Sequence, residues 1–210
     1  MAFKLPYPVD SVARVVWVSG VPGVGKTSIG KALARRLGYE FIDIPEYVRV
    51  KGLAEGYDRR RRTAIVSPLK LRHSLERLMI EDGQYVLASH IVVRLSKVRA
   101  SCIVLRINPL NLYRRLKRRG YEAGKIIENL EAEFVGACFV EAVKALGRGR
   151  VRQLDVTGQT VGRCVERALE IIGGASGDMV DWGGRLSQTE LDRILRLMAS
   201  GGIGRLSKVF

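Results

Sequence analysis

The chain has 210 residues, 47% of them hydrophobic, and carries 36 Lys and Arg against 21 Asp and Glu, a formal net charge of +15. That length suits one sizeable core rather than two independent ones, and no apolar run approaches the ~20 residues of a membrane-spanning helix, so no membrane contact is expected. The charge exceeds what a small anionic ligand needs. It points either to a polyanion such as RNA or to a solvated, arginine-rich surface.

Met1–Val9 holds one lysine and two prolines without an apolar stretch, so no secretory signal is expected there. Arg14–Ser19 reads RVVWVS, a β-branched apolar run that predicts a buried parallel strand. A Gly-rich turn over 20–25 follows. Lys26–Leu37 then places Ile29, Leu33 and Leu37 four apart on one helix face, with Gly38 as the C-cap. Phe41–Ile44 is a second strand. Ser67 as N-cap and Pro68 at the first helical position open another helix, whose apolar face is Leu69, Leu71, Leu75, Leu78 and Met79. Asp82-Gly83 ends it.

Tyr85–Ala88 and Cys102–Ile107 are the third and fourth strands. Pro109–Arg119 is a basic helix that Gly120 breaks, with Leu112 and Leu116 turned inward. Of its charges, Arg114, Arg115, Lys117 and Arg118 read as a solvated face. Arg119, beside the Gly120 hinge, reads as able to swing onto a ligand. Glu122–Leu146 predicts one long helix, Val151–Val156 a fifth strand and Val161–Ile172 a closing helix. After Gly173 the composition turns to Gly and Ser. Ser187 with Glu190 forms a capping box ahead of one amphipathic helix.

Strands alternating with helices imply an α/β fold: a three-layer sandwich with a five-stranded parallel sheet covered by helices on both faces. Cys102, Cys138 and Cys164 show no C-x-x-C spacing. With two histidines they make no metal-site pattern and read as free thiols in a reducing cytoplasm.

Gly20-Val21-Pro22-Gly23-Val24-Gly25-Lys26-Thr27 matches G-x-x-x-x-G-K-[ST] at every fixed position, between a strand and a helix. The glycines let successive N–H groups face one anion, and the helix beginning at Lys26 adds its positive end. Lys26 is expected on the β- and γ-phosphates of ATP, the Thr27 hydroxyl on Mg²⁺ and Ser28 at the α-phosphate. There is no N-K-x-D segment for guanine. The chain is short for an ATPase with a separate lid domain, which favours the small P-loop kinases.

GVPGVGKTSIGKALARRLGYEFIDI resembles the start of the adenylate kinase isoenzyme six family, the coilin-interacting nuclear ATPases and their archaeal relatives. The resemblance continues through Gly56-Tyr57-Asp58, Ser89-His90, Arg119-Gly120-Tyr121, Asn129–Glu133 and Thr157-Gly158, and spans residues 13–173. It implies a nucleoside monophosphate kinase-like fold and a broad nucleoside monophosphate kinase with ATPase activity. It also implies work in late small-subunit ribosome maturation, with a ribosomal protein of the uS-eleven type as partner and a contact with rRNA.

Carried over onto matching positions, Gly23, Gly25, Lys26, Thr27 and Ser28 contact ATP, Arg119 lies over the adenine, and Gly158 brings backbone close to it. Residues 43–66 would be the monophosphate-binding flap and 118–128 a short lid, within a kinase domain over 1–173 and a tail over 174–210. An alternative is an ATP-gated assembly factor that binds a ribosomal protein with little kinase activity. A shikimate-type small-molecule kinase is the third reading, and no acid or sugar pocket is identifiable for it.

Two departures from the family pattern matter. The family carries an acid, any residue, then His at the end of the third strand; here that tripeptide is Ala88-Ser89-His90. His90 remains as a candidate catalytic residue, but the carboxylate that would orient Mg²⁺ through water is absent. Asp43, at the end of the second strand, is the nearest candidate to replace it, or else it contacts the flap or an acceptor ribose. The second departure is Arg59-Arg60-Arg61-Arg62 after Gly-Tyr-Asp, either a phosphate clamp and rRNA contact or a solvated run.

Overall fold

The computed structural model of the chain describes residues 14–58, 63–79, 83–96 and 98–199. Met1–Val9, Arg59–Arg62 and Asp82, to which the sequence assigns roles, lie outside the described residues.

The run RVVWVS forms β1 (Arg14–Ser19), the middle strand of a sheet in which every pairing is parallel. Its companions are β2 (Glu40–Asp43), β5 (Gln84–Ala88), β6 (Arg99–Arg106) and β7 (Val151–Asp155), in the order β2-β5-β1-β6-β7. Each central strand buries both faces, so its residues divide alternately between two cores. Val16 and Val18 of β1, Val86 of β5 and Ile103 and Leu105 of β6 join one core. Val15, Trp17, Leu87, Cys102 and Val104 join the other. Helix α1 (Lys26–Leu37) covers the first face together with α7 (Val161–Ile172); α3 (Pro68–Leu78) and α6 (Ala137–Leu146) supply residues to the second. The predicted five-stranded, doubly covered parallel sheet is the fold observed.

Local signals explain most boundaries. Gly38 ends α1 at φ 71° with its N–H donated to the Ala34 carbonyl. Ser67 caps α3 through the Lys70 N–H, and Pro68 begins it. The second strand ends one residue earlier than expected. Ile44 opens a helix, α2 (Ile44–Val50), because Asp43 accepts the Glu46 N–H and Pro45 sits in the first turn. An antiparallel pair, β3 (Ala54–Asp58) and β4 (Thr63–Val66), then forms a separate two-stranded sheet, and Glu55 of β3 pairs with Lys70 of α3 (Pro68–Leu78) at 2.8 Å. The sequence reading contained neither α2 nor this strand pair.

The long helix expected over 122–146 is two, α5 (Ala123–Phe134) and α6, broken at Gly136 with φ 67°. A Cβ there would lie 3.2 Å from Arg106 Nη1. That guanidinium is buried, donating from Nε to Glu133 Oε1 at 2.8 Å and from Nη2 to the Glu133 carbonyl at 2.7 Å. The same carboxylate oxygen accepts the Ile107 N–H at 3.1 Å and Trp182 Nε1–H at 2.9 Å. A short helix α8 (Trp182–Arg185), which the sequence does not predict, is thus anchored to the Arg106–Glu133 pair. After it comes α9 (Gln188–Ala199), opened by the Ser187–Glu190 capping box and packed against α5 and α4 (Pro109–Arg118) with Ile194 fully buried. Among the described residues no helix is long and apolar enough to cross a membrane.

Candidate active site

The P-loop, Asp43 and His90 lie at the C-terminal ends of the parallel strands, where open α/β sheets bind ligands. The P-loop leaves β1 through Gly20 (φ 137°), and Gly23 and Gly25 also take positive φ, at 86° and 118°. A Cβ on Gly20 would meet the Leu105 carbonyl oxygen at 2.7 Å, so only glycine fits both conformation and space. Gly25 ends the loop at the start of α1. It has no side chain to cap the helix, which leaves the first-turn N–H groups for an anion.

Lys26 folds back under the loop and donates to the Val21 carbonyl at 3.0 Å. Burial lowers its pKa to about 8, with Arg119 adding to the fall and Asp43 opposing it. Lys26 therefore lies within electrostatic reach of both. Thr27 Oγ1 donates to Asp43 Oδ2 at 2.8 Å. Asp43 and Ala88 are register partners on β2 and β5, so this carboxylate stands beside the position where the family pattern has its acid. The buried Ser89 hydroxyl accepts the Ile91 N–H at 3.0 Å, which commits it to its own turn. His90 follows, on the exposed rim. The protein mass around its ring, then the charges of Lys26 and Lys125, lower its pKa to about 4, so it is neutral near pH 7. Lys26 and His90, the two residues marked for catalysis, are thus brought near one another.

A cleft of about 410 Å³ opens beside the P-loop, lined by Gly25, Ser28, Arg115, Arg118, Arg119 and Gln159 among others. Ser28 and Arg119 are therefore brought together in one cleft. Gly158, at φ 69°, lines the adjoining groove with Arg114 and Lys117 rather than this cleft. Its neighbours Val156 and Gln159 reach the cleft instead. Arg115, read from sequence as solvated, donates from Nη1 to the Val24 carbonyl at 3.1 Å and ties α4 to the P-loop. The available signal was its spacing: Arg115 and Arg119 are four apart, so they share a helix face.

A divalent cation fits the donor set. The Thr27 hydroxyl has its proton directed to a carboxylate, leaving its lone pairs for a metal, and the nucleotide phosphates and water would complete an octahedral shell. Among the described residues no three His, Cys, Asp or Glu side chains converge, so the protein's own share of such a shell would be small.

Three comparisons bear on this arrangement. A family model described as "AAA domain" matches residues 16–136. The chain is 37% identical over 158 residues to a "Putative adenylate kinase" of Thermococcus kodakarensis, covering 75% of this chain and 85% of that one. It is 33% identical over 155 residues to a protein of the same name from Methanocaldococcus jannaschii, covering 74% and 84%. Among solved structures, a "putative kinase" from Chloroflexus aurantiacus superposes with a TM-score of 0.52 at 17% identity, over 77% of this chain and 97% of that one, a likeness of fold.

Proposed function

Because the chain belongs to the family whose archaeal members bear the name "Putative adenylate kinase", we propose that it transfers the terminal phosphate of ATP to a nucleoside monophosphate, AMP foremost. The observation that carries this reading is the meeting of Gly25, Ser28 and Arg119 in one cleft beside the P-loop, with Lys26 within electrostatic reach of Arg119. In that reading the P-loop N–H groups and Lys26 hold the β- and γ-phosphates, and Lys26 offsets the charge that gathers during transfer. Arg119 covers the base of ATP. Mg²⁺ would supply further charge neutralisation between the phosphates, held on the protein side by Thr27. His90, neutral near pH 7, would act as a hydrogen-bonding group rather than a cation.

In this reading the acceptor belongs under the flap over 43–66, and the lid over 118–128 closes on the donor. We assign the kinase domain to 1–173 and the tail to 174–210. The three cysteines, none of them in a disulfide, support a cytoplasmic setting.

A second reading is favoured by one observation, the net charge of +15. Work beside rRNA in late small-subunit maturation, on a ribosomal protein of the uS-eleven type, would use that charge. The same ATP site would then act as a slow switch. ADP formation with ATP and AMP, compared with ATP alone and with added ribosomal protein, separates the two. The kinase reading expects AMP to accelerate ADP formation many-fold. If AMP adds nothing and the ribosomal protein stimulates hydrolysis, the switch reading replaces it.

A further inference from the structure

We propose that Asp43 is the Mg²⁺-orienting carboxylate of this chain, so that its metal site is braced from one strand further out than in P-loop enzymes generally. The proposal rests on the reading that the cleft holds ATP. P-loop enzymes hold Mg²⁺ with the P-loop hydroxyl and an acid at a strand end. Here β5, the strand hydrogen-bonded to β1, ends at Ala88 and supplies no acid, and Ser89 is occupied by the Ile91 amide. Asp43 ends the next strand, directly opposite Ala88 in the ladder.

Its two oxygens do different work. Oδ1 accepts the Glu46 N–H at 3.5 Å, a long bond that caps α2. Oδ2 takes the Thr27 hydroxyl proton at 2.8 Å, which capping does not require. A hydroxyl that donates to a carboxylate turns its lone pairs away from it, toward the phosphates. The reach across β5 depends on small residues. Gly30, one turn after Thr27, lets α1 lie against β2 and β5: a Cβ there would meet the Phe41 ring at 2.8 Å and the Ala88 Cβ at 3.7 Å.

Mn²⁺ is the probe, titrated into the full-length protein with ADP present and followed as free Mn²⁺ by electron paramagnetic resonance. Asp43→Asn removes the charge while keeping a good N-cap, and Asp43→Ser does the same with a different side chain should the first fold poorly. Either is expected to weaken Mn²⁺ binding by about tenfold or more, the usual effect of losing a partner that orients a metal ligand. ADP affinity in excess EDTA should be unchanged. Adding Ala88→Asp to Asp43→Asn should restore most of the lost affinity. Unchanged Mn²⁺ affinity in Asp43→Asn overturns the proposal, as does an equal loss of ADP affinity in EDTA. So does a double variant no tighter than the single one, or a rise in KM for AMP as the sole effect. Failure of the kinase reading would be seen separately, as AMP-independent ADP formation with the Mn²⁺ titration intact.

Discussion

Lys26 carries its charge in a buried setting, and its pKa near 8 makes ATP binding depend on pH in a definite direction. Phosphates favour the ammonium form, so ATP affinity should fall as pH rises through about 8. Calorimetry at about pH 8.5 in two buffers of different ionisation enthalpy should register proton uptake on binding. The same shift acts on folding. Between about 8 and 10.5 the unfolded chain holds more protons at this site than the folded one, so stability attributable to Lys26 rises with pH across that window. Lys26→Ala should abolish the uptake and lower turnover by about 10²–10³. At the edge of the cleft, Arg119 and Arg114 make a matched pair for comparison. Arg119 lines the cleft, whereas Arg114 lies in the adjoining groove and donates to Asn111 Oδ1 at 2.9 Å. Arg119→Ala is expected to raise KM for ATP by about tenfold, the scale of one hydrogen bond to a charged group, and Arg114→Ala by far less. Equal values would remove any special role for Arg119.

Among the elements, α5, α6 and α8 meet at one buried ion pair. Glu133 is 2% exposed and accepts from Arg106, Ile107 and Trp182, while Arg106 Nη1 also bonds Gln153. Removing one partner of such a pair strands the other. Glu133→Ala should therefore cost about 3–5 kcal/mol, and Trp182→Phe, which loses only one bond to a charged group, about 1.5–3 kcal/mol. Urea denaturation measures both, and a smaller loss for Glu133→Ala than for Trp182→Phe would contradict this account. The same meeting point explains what the sequence could and could not reveal. The five strands of the parallel sheet and α1, α3, α4, α7 and α9 are legible because period and caps agree locally. The break at Gly136 was not, because the helical period continues through it and the cause is Arg106, thirty residues earlier. The β3–β4 pair and α2 were missed for a different reason. In the paired strands Tyr57 and Ile65 remain exposed, so no alternation records them, and α2 spans seven residues with only Ile44 and Val48 buried, too short for a period to show. At the site, the P-loop followed from spacing alone. Arg115 reads as solvated from spacing because its hydrogen bond to the Val24 carbonyl depends on how α4 packs.

For the whole molecule, charge is the property that sequence gives and fold does not use. The net +15 predicts association with polyanions that weakens with salt. If rRNA contact is part of the function, affinity for RNA should fall by roughly tenfold or more between about 50 and 200 mM salt, as counterion release requires. ATP binding should change far less over that range. A flat RNA affinity across the same salts would assign the charge to solvation alone.

Register partners on neighbouring parallel strands lie about 4.8 Å apart, and Asp43 and Ala88 are such partners. A carboxylate can therefore change strands through two substitutions while staying within a strand's width of the same point in space. The order of those substitutions matters to a lineage that begins with an acid at position 88, the pattern of the family this chain resembles. Gaining Asp43 first passes through a protein with two neighbouring acids, which can share a proton and keep working. Losing the acid at 88 first passes through a protein with neither. Descent is thus expected to run through the doubly acidic form, and a survey of relatives should find active proteins with both acids but none with neither.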